Sequence, residues 1–250
     1  MKKTVCWIGI ALLGAMVSRG QDDARIGAGG SRALISWHDP NRIQAGIGYA
    51  RISRGAEADG VDYRLQADVA QAGLGLWAWP WLLIHGSAGA CEARLEGAMD
   101  EKGSAEFAGR IGARANLWQI DEGTRESSWR FTAGIAGDYG HFGSGDDGDG
   151  KTRWNELRVA LPLEYYLSFA RTYRHLYLSE VHGMAIFAGP EASWIDGEWE
   201  KGGRKRNFEE KETFGAFAGA ELWLLANLCF GVRLDWFEES TVELNVVYRF

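Results

Sequence analysis

The last ten residues, 241–250, read TVELNVVYRF. Val242, Leu244, Val246, Tyr248 and Phe250 are apolar, with Glu243, Asn245 and Arg249 between them. A period of two is the signature of a strand, because successive side chains of a pleated chain point to opposite faces. One face here is wholly apolar and the other carries charge. Just upstream, 228–236 (LCFGVRLDW) repeats the pattern. Leu228, Phe230, Val232, Leu234 and Trp236 oppose Gly231, Arg233 and Asp235, and Glu238-Glu239-Ser240 supplies a turn.

The same period runs back along the chain. Segment 154–167 sets Leu157, Val159, Leu161, Leu163, Tyr165 and Leu167 against Glu156, Arg158 and Glu164. Residues 213–224 set Phe214, Ala216, Ala218, Ala220, Leu222 and Leu224 against Glu221. In 183–194, Met184, Ile186, Ala188, Ala192 and Trp194 oppose Glu191. In 107–118, Phe107, Ile111, Ala113, Ala115 and Leu117 oppose Arg110 and Arg114. Segments 129–140, 61–69 and 43–51 alternate in the same way. Gly-, Asp- and Lys-rich connections at 54–60, 97–104, 143–151 and 197–207 take turns with short ones near 79–81, 121–128, 170–180 and 225–227. About ten strands (eight to twelve) with alternating long and short connections predict an all-β, closed antiparallel up-and-down transmembrane barrel.

A membrane barrel rather than a soluble one is expected for two reasons. The polar faces mix charges with small residues (Gly112, Gly134, Gly215, Gly219, Gly231), as a crowded lumen requires. The tryptophans gather near strand ends. Trp77, Trp79, Trp81, Trp118, Trp129 and Trp223 lie near short connections, and Trp154, Trp194, Trp199 and Trp236 near long ones. Paired aromatic girdles are what bilayer interfaces select. This accounts for a 250-residue chain with Gly 34 and Trp 12 but Pro 4, at a mean hydropathy of −0.24. Pro162 and Pro190 fall inside expected strands and predict breaks or bulges, on one shared seam, because proline donates nothing to a ladder. Residues 69–91 hold no charge, and Pro80 and several glycines make them two strands meeting at Trp79-Pro80-Trp81.

At the other terminus, Lys2 and Lys3 precede an uncharged run from Val5 to Val17. Small residues at Ser18 and Gly20 follow, so residues 1–20 read as a secretory signal peptide cut near Gly20. Its removal takes Lys2, Lys3 and Arg19 and no acid, moving the formal charge from −7 to −10. A chain so acidic is no natural nucleic-acid binder. Residues 21–42 have no clear period and are an N-terminal periplasmic segment or plug. Residues 43–250 form the barrel. Cys91 and Cys229 fall near opposite ends and are not expected to pair.

A signal peptide, strands of about ten residues and a C-terminal Phe250 preceded by Tyr248 together resemble bacterial outer-membrane β-barrel proteins. The resemblance covers roughly residues 43–250 and implies location in the outer membrane. It also implies that Tyr248 and Phe250 are the signal read by the barrel-assembly machinery, and that outer-membrane lipid and lipopolysaccharide surround the chain.

The charged faces define the candidate site: Arg110, Arg114, Glu156, Arg158, Glu164, Glu191, Glu221, Arg233, Asp235, Glu243 and Arg249. They line either a channel admitting a small solute or a lumen filled by ion pairs. The second is favoured, since ten strands enclose little more than side chains. No cofactor or metal is expected, and the role expected is a structural or interaction barrel or a narrow pore. The alternative is an outer-membrane hydrolase. His85-Gly86-Ser87 loosely resembles the element of lipid A deacylases, without the Asn that follows there. His141 near Asp146 and Asp147 faintly resembles an omptin-like protease. Asp146, Asp147 and Asp149 admit calcium, and the basic 201–207 admits lipopolysaccharide phosphates, but both read more simply as solvated loops.

Overall fold

The computed structural model describes residues 42–98, 102–123, 127–145, 150–169, 181–224 and 227–250. The expected signal peptide, nearly all of 21–42, and Asp146, Asp147 and Asp149 lie outside them. Twelve strands follow in order: β1 (Ile43–Ala58), β2 (Val61–Trp79), β3 (Leu82–Glu96), β4 (Ala105–Gly123), β5 (Ser127–Ser144), β6 (Lys151–Ala160), β7 (Leu163–Phe169), β8 (Val181–Lys201), β9 (Arg204–Glu210), β10 (Phe214–Leu224), β11 (Leu228–Trp236) and β12 (Ser240–Arg249). All pairings are antiparallel, and β12 closes on β1 from Gln44 opposite Arg249 to Arg51 opposite Val242. The main wall has ten strands, with β6 and β7 together making one of them, and β9 lies outside it.

Pro162 breaks its strand as expected, whereas β8 runs through Pro190 without a register shift. Pro162 separates β6 from β7, and both segments pair with the unbroken β8. Leu161 N–H donates to the Pro190 carbonyl (3.0 Å) and Gly134 N–H to the Pro162 carbonyl (2.9 Å), so the seam is shared. The Trp79-Pro80-Trp81 turn joins β2 to β3, with a register shift between Trp77 and Trp79.

The ten-strand wall turns its apolar residues outward. Leu74, Ile84, Ile111, Leu157, Ile186, Val232 and Leu244 are all exposed on the outer surface. Aromatics border this belt: Tyr49, Phe107, Tyr139, Trp194, Phe214 and Trp236 at one edge, Trp79, Trp81, Trp118 and Phe250 at the other, where Ile43 begins β1. From Trp129 to Tyr139 β5 runs eleven residues, which at a tilt near 45° spans about 25 Å of bilayer. A closed sheet leaves no backbone group unpaired in hydrocarbon. Trp154, Trp223 and Trp199 depart from the expected girdles. Trp154 and Trp223 are buried and point inward. Trp199 packs against Tyr63, ring centroids 6.5 Å apart, beside the interior cluster.

The pattern of 61–69 reverses the expectation. Its polar residues Asp62, Arg64, Gln66 and Asp68 point outward, while Leu65, Ala67 and Val69 are buried inside. Beyond Val69 the outward positions become Ala70, Ala72, Leu74 and Leu76. The strand therefore keeps its alternation, but near Asp68 its outward residues change from apolar to polar, which marks the upper edge of the apolar belt. β3 changes at the same level, with Glu92, Arg94 and Glu96 outside and Cys91, Ala93 and Leu95 inside. Residues 54–60 and 197–207, expected as loops, extend this upper storey as strand. β1 reaches Ala58, and β8 and β9 form a hairpin from Asp196 opposite Glu209 to Lys201 opposite Arg204. Asp59 and Gly60 turn β1 into β2, and Gly202 and Gly203 turn β8 into β9, each pair at positive φ as tight hairpins require.

Inside the upper storey Ile52, Ala56, Leu65, Leu95, Phe142, Trp154, Ile195 and Phe208 form one apolar cluster. Phe142 and Trp154 stack with ring centroids 5.0 Å apart.

Candidate functional site: a lumen crossed by ion pairs

Below that apolar cluster the lumen is filled by charge. Arg158, on β6, is almost fully buried and reaches three carboxylates: Glu156 (3.0 Å), Asp235 on β11 (3.2 Å) and Glu243 on β12 (3.3 Å). Arg110 on β4 meets Glu243 (3.3 Å) and Glu156 (3.5 Å). Arg233 on β11 meets Glu191 on β8 and Asp235, both at 2.5 Å. The Ser193 hydroxyl donates to Glu156 (3.4 Å). Seven of the eleven residues singled out in the sequence thus join one layer across the barrel. Each side chain reaches the interior by strand alternation, and each charge is desolvated but paired, as burial demands.

The other four lie nearer the end that holds Ile43 and Phe250. Arg114 donates to Glu164 (2.7 Å), joining β4 to β7. Arg249 places its guanidinium over the Trp223 ring, 3.6 Å from its centroid. Glu221 lies on the inward face of β10, beside Cys229. Tyr248 and Phe250 face outward at the closing seam, ring centroids 5.0 Å apart. The Phe250 N–H donates to the Ile43 carbonyl (2.8 Å).

Arg54 was not among the residues singled out, because 54–60 read as a linker. It is 1% exposed, 3.8 Å from both Glu156 and Glu210, with its guanidinium 3.7 Å from the centre of the Phe237 ring. Its strand alternation with buried Ile52 and Ala56 was the available signal.

The catalytic candidates do not converge. His85 Nε2 lies 3.4 Å from Asp138 inside the lumen, and the Ser87 hydroxyl instead donates to Gln71 (2.9 Å). Gly112 stands between them on β4. A β-carbon there would collide with both His85 and Asp138, so its absence lets β3 and β5 meet across a strand. His141 faces outward, with Nδ1 2.9 Å from Asn155 Oδ1. Among the described residues no three His, Cys, Asp or Glu side chains are grouped to hold a metal. Cys91 and Cys229 are free and buried in separate clusters, Cys91 in the upper storey and Cys229 beside Tyr166, Ala185 and Trp223. The basic stretch at 201–207 sits on the β8–β9 hairpin, where Lys205 pairs with Glu198 (3.6 Å) and Arg206 with Asp59 (3.3 Å).

No protein-family profile and no curated protein matches the chain. Among solved structures it is similar to an outer membrane channel from Pseudomonas putida F1, at 12% identity over 90% of this chain and 100% of that one, with a TM-score of 0.38. It is also similar to the outer membrane protease OmpT from Escherichia coli, at 11% identity over 88% of this chain and 100% of that one, TM-score 0.35. A third is the translocator domain of the autotransporter NalP from Neisseria meningitidis, at 8% identity over 85% of this chain and 90% of that one, TM-score 0.35.

Proposed function

We propose that this chain is a bacterial outer-membrane barrel with a structural or interaction role, closed to solutes and without catalysis. The termini then lie on the periplasmic side and the upper storey stands in the external medium. The observation that carries the reading is the double closure of the lumen. Arg110 and Arg158 join β4 and β6 to Glu243 on the far wall, and an apolar cluster packs above them. An ion crossing this path would have to part desolvated pairs and then enter a dry core, each step costing several kcal/mol. Lipopolysaccharide and outer-membrane lipid are its surroundings, and Tyr248 and Phe250 are its signal to the assembly machinery.

Planar-bilayer recording of the refolded chain tests this. Closed membranes at moderate voltage are the expected result, and steady single-channel steps overturn the reading in favour of a narrow pore. The hydrolase alternative predicts release of fatty acid or cleaved peptide from lipopolysaccharide or a basic peptide. No turnover is expected.

A further inference from the structure

β9 holds an unusual place. It pairs with β8 along its length, but it touches β1 at only two positions, Ala56 opposite Glu210 and Glu57 opposite Glu209. Between β8 and β1 the lower wall has three more strands, β10, β11 and β12. Among the described residues the backbone of the upper storey closes through this strand, which passes above their ends and is braced by Lys211 pairing with Asp62 (2.9 Å) and Glu238 (3.2 Å). One further backbone bond, from Lys211 N–H to the Gly55 carbonyl (3.1 Å), secures it.

Beneath the junction lies a costly arrangement. Arg54 and Glu210 are both buried and stand 3.8 Å apart, too far for a hydrogen bond. No hydrogen bond of good geometry reaches the three guanidinium nitrogens of Arg54 or the carboxylate oxygens of Glu210, although the Ser193 hydroxyl lies close enough to Glu210 to favour its charged form. Charges so placed lose water without full compensation, whereas one opened to solvent recovers it. The groups facing Glu210 are Arg54 from β1, Glu156 and Arg158 from β6 and Ser193 from β8, with Asp235 of β11 behind Arg54.

We propose that β9 is a latch that leaves β1 when Glu210 carries its charge, opening a side entrance above β10–β12 to the charge layer. Burial pushes the Glu210 carboxyl up to about 7, against the pull of Ser193 and Arg54. The closed form thus holds its proton more tightly than an open, hydrated one. Closure is tightest in acid, weakens as the pH rises from about 4.5 to about 7, and stays weak above that.

Hydrogen exchange of the amides that hold β9 to β1, that of Lys211 foremost, tests the latch in detergent-refolded protein, corrected for intrinsic rates, whether or not the lumen conducts. From pH 5 to pH 8 the corrected opening is expected to rise up to ~100-fold at these amides and to stay level in those that pair β9 with β8 and in β11 and β12. Glu210→Gln is expected to hold β9 at its acid-side protection at every pH. Equal corrected exchange at pH 5 and pH 8 in the unaltered protein overturns the proposal. So does a pH dependence that survives Glu210→Gln.

Discussion

Arg158 on β6 and Glu243 on β12 form an ion pair at 3.3 Å across the interior of the barrel. Their strands are not neighbours in the sheet. The pair therefore joins opposite walls, and Arg158 holds Glu156 and Asp235 at the same time. Removing this one cation leaves three buried carboxylates short of a partner. Arg158→Met is expected to lower unfolding stability by about 3–5 kcal/mol, read from urea titration in detergent. Adding Glu156→Gln should recover part of that loss, since it removes one negative charge from a layer left with an excess of them. A loss under ~1 kcal/mol would mean that the layer is wet and its charges are screened.

The upper storey makes a different demand, because its interior is apolar. Phe208 is 1% exposed and lies over Gly197 of the paired strand β8. Phe208→Ala empties that place and should cost about 3–5 kcal/mol. The first loss is expected in β9 protection, with the tryptophan fluorescence of the membrane belt unchanged. If belt and upper storey melt together, the two do not unfold separately.

Alternation was legible in most strands of the wall, and with it the Trp79-Pro80-Trp81 turn and the break at Pro162. What alternation cannot tell is which side of the sheet meets which solvent. Asp62 and Arg64 alternate with Tyr63 and Leu65 just as Arg233 and Asp235 alternate with Val232 and Leu234. The first polar set faces water outside, the second faces the lumen. Only the height of each strand relative to the bilayer separates them, and that follows from the stagger between strands, which no single strand encodes. The partners of Arg158 stayed hidden for the same reason. Residues 197–207 read as a loop because a hairpin standing in water needs few apolar residues, and Trp199 and Phe208 are all this one offers.

Asp68 stands on the outer face just above the belt. Burial raises its carboxyl, but the Lys102 ammonium and the Tyr49 hydroxyl, which donates at 2.7 Å, outweigh it and hold the group below its ordinary value. A depressed acid stabilises the fold above its unfolded value near 3.9, and that share is lost as the pH falls through the lower folded value. The site is part-exposed, so solvent limits it to under about 1 kcal/mol. Asp68→Asn should therefore be slightly less stable than the parent at pH 7 and equal to it near pH 2, by paired urea titrations. A deficit that persists at pH 2 would assign the effect to packing.

The level at which β2 leaves the bilayer can be tested by charge alone. Ala72 and Gln66 both point outward from β2, six residues apart, one on the belt and one above it. A lysine facing lipid costs roughly 2–4 kcal/mol at the midplane and close to nothing at the interface. Ala72→Lys is thus expected to reduce folding stability in lipid vesicles by about 2 kcal/mol or more, and Gln66→Lys by less than about 0.5 kcal/mol. In a detergent micelle, which adapts to the new charge, the gap between them should narrow. Equal costs at the two positions would move the bilayer edge above Gln66 and put the outward charges of the upper storey in lipid. Their exposed pairs, Arg64 with Glu96 at 3.6 Å and with Glu239 at 2.5 Å, would then be buried in hydrocarbon. The energetic expense of that arrangement is the physical reason for placing the edge at Asp68.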